Sequence, residues 1–146
     1  MKKKRVVIIS LLLLLVSVIG ISSYFLFKDK INLLDVDHSA VDWNGKKQKD
    51  TSGEENTIAI PGFEKVTLYA NETTQAVNFH NPEINDCYFK ISLIHPDGSV
   101  LWISDLIEPG KGMYSIELEK TLAVGEYENA VLKYECFSLN DQSPLN

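Results

Sequence analysis

Beyond its first five residues the chain has no basic patch interleaved with aromatic residues, and that absence removes one class of partner at the outset. Lys2, Lys3, Lys4 and Arg5 supply four of the 14 basic side chains, whereas from Lys28 onward 10 basic residues face 20 acidic ones, a net of −10. A body of that sign repels phosphate backbones, and no stretch interleaves basic with aromatic residues. Nucleic acid is therefore excluded as a partner, while cations, basic proteins and uncharged polymers remain. Histidine is scarce: His38, His80 and His95 lie in a polar segment and at strand ends. There is no Cys-x-x-Cys, no metal-ligand spacing, no glycine loop opening a helix and no nucleophile-elbow serine. Glu117 and Glu119 alternate with Ile116 and Leu118, which is the wet face of a strand and not a general-acid pair. The expectation is a protein that is not an enzyme and uses no metal or cofactor.

Charge is also missing from residues 6–27, 22 consecutive positions closed by Lys28 and Lys30. At about 1.5 Å per helical residue such a run crosses the roughly 30 Å of bilayer hydrocarbon. Four basic residues precede it, against two lysines and one aspartate just after, so the positive-inside rule keeps the N-terminus cytoplasmic and sends the body out. A cleaved signal peptide is the competing reading, because Gly20-Ile21-Ser22 carries small residues at cleavage spacing. The expected organisation is a cytoplasmic basic tail over 1–5, a transmembrane helix or signal anchor over 6–27, a flexible extracytoplasmic linker over 28–56 and a β-sandwich domain over 57–146.

Residues 28–56 read as linker because they are polar, rich in turn formers and without periodicity, too poor in apolar surface to offset ordering entropy. Asp35, Asp37, His38 and Asp42 cluster there without the glycine turn and bidentate glutamate of a calcium loop. Trp43 is harder to dismiss: a lone tryptophan in a polar segment either docks onto the domain or touches a partner.

Past residue 57 the texture changes to short alternating runs between turn signals, the pattern of an all-β sandwich. Residues 58–60 and 64–70 flank Pro61-Gly62, which breaks one edge strand in two. Residues 74–80 run to Asn81-Pro82. Residues 87–94 lead into His95-Pro96-Asp97-Gly98, where proline presets the turn and glycine takes the left-handed position, and residues 99–107 return as the other arm. Residues 113–118 follow the turn Glu108-Pro109-Gly110-Lys111-Gly112, and the last strand spans residues 126–138. No segment after Phe27 has helical periodicity.

Alternation puts Cys87, Phe89, Ile91 and Leu93 on one face of their strand, and Ala130, Leu132, Tyr134 and Cys136 on one face of the last. In an immunoglobulin-type sandwich these would be strands C and F, antiparallel neighbours whose Cys-bearing ends meet. An exported chain with two cysteines then suggests a Cys87–Cys136 disulfide, worth at most roughly 4 kcal/mol on the chain-entropy model. Tyr127, in Leu122-Ala123-Val124-Gly125-Glu126-Tyr127, is the candidate tyrosine corner, and Tyr134 is a core residue. Tyr88 and Phe137 fall on the opposite face, where with Trp43 they form a candidate binding surface for a sugar or a protein.

The segments Ile58-Ala59-Ile60-Pro61-Gly62-Phe63, Phe79-His80-Asn81-Pro82-Glu83, Asp86-Cys87-Tyr88-Phe89, Ile107-Glu108-Pro109-Gly110-Lys111-Gly112 and Leu132-Lys133-Tyr134-Glu135-Cys136 together resemble a family of small exported proteins of Gram-positive bacteria, of uncharacterised function. The resemblance covers residues 42–146 and implies a surface-facing immunoglobulin-like β-sandwich behind one membrane segment, with no activity or site residues attached. In that family another strand usually follows the position of Ser143-Pro144-Leu145-Asn146. Without it the last strand is expected to be an open edge, so that the domain is either truncated and weakly stable or completed by a strand added by a partner. The functional expectation is a membrane-tethered extracytoplasmic adaptor or protein-binding module. The alternative is a cell-wall glycan or peptide ligand-binding domain.

Overall fold

The computed structural model describes residues 33–45 and 57–145, and among them are six strands: β1 (Val41–Asp42), β2 (Thr74–His80), β3 (Cys87–Ile94), β4 (Val100–Ile103), β5 (Lys111–Glu117) and β6 (Val131–Ser138). The fold is all-β, with no helix among the described residues and hence none able to cross a membrane. The basic tail at 1–5, the apolar segment at 6–27 and the linker residues 28–32 and 46–56 lie outside the described residues.

The strands make two antiparallel three-stranded sheets, ordered β1-β5-β2 and β4-β3-β6. Their apolar faces share one core: Phe79 of β2 with Met113 and Ile116 of β5, against Phe89, Ile91 and Leu93 of β3, Leu101 and Trp102 of β4, and Cys136 of β6. Phe79 sits between layers, edge-on to Phe63 at 5.5 Å and tilted against Trp102 at 5.9 Å. Such aromatic geometries add to the area each ring buries.

The β3–β4 turn is built as its residues demand. Gly98 has φ +85°, its N–H donates to His95 O at 2.8 Å, and the Asp97 carboxylate accepts from the Ser99 N–H. Bonds from Ser99, and then the His95 ring, hold the Asp97 carboxyl well below the usual carboxylate range. The ladder shifts register between Leu93 and Ile94; past the end of β4 the Ser104 hydroxyl accepts from Ile91 N–H, and a bridge joins Phe89 and Ile107.

Two expectations are corrected. Residues 58–60 and 64–70 form no strand. Amide side chains replace the ladder there: Asn85 accepts from Ala59 N–H and donates to Ala59 O, and Gln75 does the same for Tyr69. A primary amide presents a donor and an acceptor side by side, as a peptide edge does, so one buried Asn or Gln can hold one residue of irregular chain. Residues 34–45, expected within the linker, belong to the same compact unit as the sheets. Val36 makes a parallel bridge to Leu106, β1 pairs with β5, and Ala40 packs on the core. Gln142 clamps Leu34 through both backbone groups, at 2.6 and 3.0 Å.

Trp43 fixes this arm. Its indole stacks on the buried His80 ring at 3.8 Å, nearly parallel, and its Nε1 donates to Asn78 Oδ1 at 2.7 Å. Gly112 is needed beneath it, since a Cβ there would lie 2.8 Å from Trp43 Cδ1 and 2.9 Å from Phe79 O.

Asn81, fully buried at the end of β2, joins the two sheets. Its Nδ2 donates to Cys87 O and Ile107 O, its Oδ1 accepts from Asn85, and its backbone pairs with Gly110 and Lys111. Truncation would strand the Cys87 carbonyl and one Asn85 amide hydrogen in a dry interior, at about 1–3 kcal/mol for each unsatisfied group, and would leave the Ile107 carbonyl with the Phe89 N–H alone. Asn81→Ala is therefore expected to lower unfolding stability by about 3 kcal/mol or more, read as a fall in the urea midpoint.

Candidate protein-docking edge

The last strand carries its inner residues, Leu132, Tyr134 and Cys136, toward the core, and Val131, Lys133, Glu135 and Phe137 away from it. It pairs with β3 over its whole length, from Ile94–Val131 to Cys87–Ser138. Successive peptide groups of a strand point to opposite edges. The bonds from Phe89 and Ile91 toward residues 104–107 show which β3 groups face away from β6, so the even-numbered peptide groups of β6 face outward.

Part of that outer edge is covered. Residues 143–145 turn back along it: Ser138 N–H donates to Ser143 O, Leu145 N–H donates to Cys136 O, and Phe137 and Pro144 form an antiparallel bridge. Gln142, with φ +55°, shapes the return. The expected fully open edge is thus corrected to a half-open one. The outward N–H and C=O groups of Leu132 and Tyr134 meet no partner among the described residues.

Beside the open half lies a groove of about 730 Å³ between residues 63–70 and residues 122–132. Val66, Leu68, Leu93, Leu101, Leu122 and Leu132 give it an apolar floor. Its rim carries Glu64, Glu126 and Glu128 against Lys65, which pairs with Glu126 at 3.8 Å. Leu68 and Leu122 were not singled out by sequence: Leu68 fell within the strand expected over 64–70, and Leu122 lay in the segment quoted for the tyrosine corner.

The residues expected to form a binding surface do not converge. Tyr88 and Phe137 face each other across the β3–β6 ladder and are half-buried. Trp43 stands on the other sheet, lining a separate cleft of about 770 Å³ with Asn44, His80, Pro82, Glu83 and Pro109. Tyr127 donates its hydroxyl to Ala123 O at 2.9 Å. Among the described residues no three metal-ligating side chains cluster.

No disulfide joins Cys87 and Cys136 in this structure, contrary to expectation. The register explains it: Cys87 lies opposite Ser138 and Cys136 opposite Phe89, so the cysteines are diagonal neighbours and not a facing pair. Burial first, and the neighbouring Cys136 second, push the Cys87 thiol up to about 12. Burial also raises Cys136, eased by its hydrogen bond with Cys87. Both are poor nucleophiles in this state.

Comparison with known proteins found no matching protein family, no matching curated protein and no matching solved structure.

Two measurements follow from the buried groups behind this edge. Folding raises the Cys87 pKa from its ordinary 9.0 to about 12, so the native state keeps a proton that the unfolded chain gives up. Stability from this group is present below pH 9 and is lost as pH rises toward 12, which urea titrations across that window should show as a falling midpoint. The Tyr134 hydroxyl is buried with no hydrogen-bond partner among the described residues, and burial raises its pKa. Tyr134→Phe removes that desolvated hydroxyl and is expected to raise stability by about 1 kcal/mol.

Proposed function

We propose that this chain is a non-catalytic, membrane-tethered extracytoplasmic adaptor that takes a protein partner by strand addition at β6. The half-open edge carries this reading: two consecutive outward-facing peptide units, at Leu132 and Tyr134, have no partner among the described residues and stand beside an apolar groove. Natural sheets usually blunt or cover such an edge. Here the cover formed by residues 143–145 reaches only Cys136.

An immunoglobulin-like sandwich is the frame we read around it. The order β4-β3-β6, and the pairing of β2 with β5, match strands C′-C-F and B-E of that fold, and the Tyr127–Ala123 bond is of the kind a tyrosine corner makes. The arm departs from it, since β1 pairs with β5 and not with β2. In this frame the groove beside β6 lies where strand G would run. The uncharged run at 6–27 after four basic residues supports the tether and the outward orientation, in line with the resemblance to small exported proteins of Gram-positive bacteria.

The glycan reading rests on the cleft at Trp43, whose Asn44 and Glu83 side chains offer hydrogen bonds beside an indole. Half-burial of Tyr88 and Phe137 leaves it without the platform expected from sequence. Titration of the full chain with soluble cell-wall glycan, monitored by tryptophan fluorescence, should leave the spectrum unchanged on the adaptor reading.

Amide hydrogen exchange on the full chain in lipid nanodiscs tests the edge itself. Leu132 and Tyr134 should exchange at close to free-peptide rates, while Lys133 and Glu135, whose N–H groups face β3, are protected. Protection of Leu132 and Tyr134 in the monomeric chain would rule the proposal out.

A further inference from the structure

We infer that the strand accepted at β6 is a basic-flanked segment of a separate protein, alternating apolar and polar residues and running antiparallel to β6. This rests on the strand-addition reading and adds direction, side-chain pattern and charge to it.

Direction comes from the existing cover. Residues 143–145 already pair antiparallel with β6, with Leu145 N–H bonded to Cys136 O. A strand continuing that line meets the outward groups of Tyr134 and then Leu132 in the register and twist already set. The opposite direction gives slanted bonds and would abandon that register at Leu145.

Pattern comes from the pleat. Residues directly opposite in a ladder share a face, and Leu132 and Tyr134 both face inward. Side chains of the incoming strand opposite those two therefore enter between the layers. The one opposite Leu132 lands on the groove floor of Leu68, Leu93, Leu101 and Leu122. The residue between them projects outward beside Lys133 and Glu135, which already pair with each other at 2.9 Å, and it is polar.

Charge complementarity selects the flanks. The described residues hold five Lys or Arg side chains against 16 Asp or Glu, and at the groove rim Lys65 is engaged by Glu126, leaving Glu64 and Glu128. Both are exposed, so their effect is a field along the groove rim and not a pair of fixed contacts. An acidic strand would meet like charge along that rim, a neutral one would gain nothing there, and a basic one is steered in.

The test uses the full chain in nanodiscs with three synthetic peptides: alternating valine and threonine flanked by lysines, the same alternation flanked by glutamates, and a lysine-flanked peptide of the same composition with its valines in one block. The lysine-flanked alternating peptide should bind saturably and protect the Leu132 and Tyr134 amides from exchange. The glutamate-flanked one should bind about tenfold more weakly in low salt, the gap closing in 1 M salt. In the exposed pair Glu64→Lys and Glu128→Lys the preference should reverse, which keeps the charge claim testable apart from folding. Equal binding of both flanks in low salt would overturn the charge claim while leaving the edge reading intact. Equal binding of the block peptide would overturn the register. No binding of any peptide to a chain whose Leu132 and Tyr134 amides exchange freely would overturn this occupant alone. Protection of those amides without peptide would overturn the edge reading beneath it.

Discussion

The buried amide of Asn81 is the joint on which the two sheets meet. It takes the end of β2, the first carbonyl of β3, the carbonyl of Ile107 and the amide of Asn85 into one network, and its backbone reaches the start of β5. In a dry interior every member of such a network must be satisfied, and a fully satisfied one defines a single arrangement. Asn85 then passes the constraint outward to Ala59. Gln75 and Gln142 repeat the device at Tyr69 and Leu34, so three stretches of irregular chain are each held by one amide side chain. The small domain thereby covers its core with chain that has no ladder of its own.

That device also sets what could be read from sequence. β3 was legible to the residue because it alternates and ends at turn formers, β2 because its run stops at Asn81-Pro82 although a bulge between Ala76 and Phe79 breaks its alternation, and the Gly98 turn because only a few residue types tolerate its backbone. Residues 64–70 alternate too, yet form no strand, because a side chain took the place of a neighbouring strand and no local pattern announces that. The arm at 34–45 was hidden for a similar reason: its anchors, Leu106, Gln142 and Asn78, are far away in sequence. Trp43 was the one local sign of docking. The cysteine pairing failed by two residues of register, a shift that keeps both thiols on the inner face and so leaves the hydrophobic pattern unchanged.

The open edge of β6 was half legible: the resemblance led to the expectation of one, but its extent depended on Gln142 and residues 143–145, whose return no alternation reveals. What the backbone leaves open there coincides with the place where the two layers separate into a groove. Hydrogen-bonding groups and apolar surface are therefore offered on one side of one strand, the combination by which strand addition gains both affinity and selectivity.

Leu34 is tied to Gln142 by two hydrogen bonds, and Gln142 lies in the return that seats residues 143–145 on β6. Tension entering the sheet unit from the N-terminal side meets this clamp first, the bridge to Leu106 second and the wedged Trp43 last. A pull on residue 34 is thus delivered to the cover of the docking edge ahead of either sheet. Peeling that cover would bare Cys136 and Ser138 as well, lengthening the exposed ladder. The arm is in this sense a mechanical linkage, coupling load on the chain to the length of strand on offer.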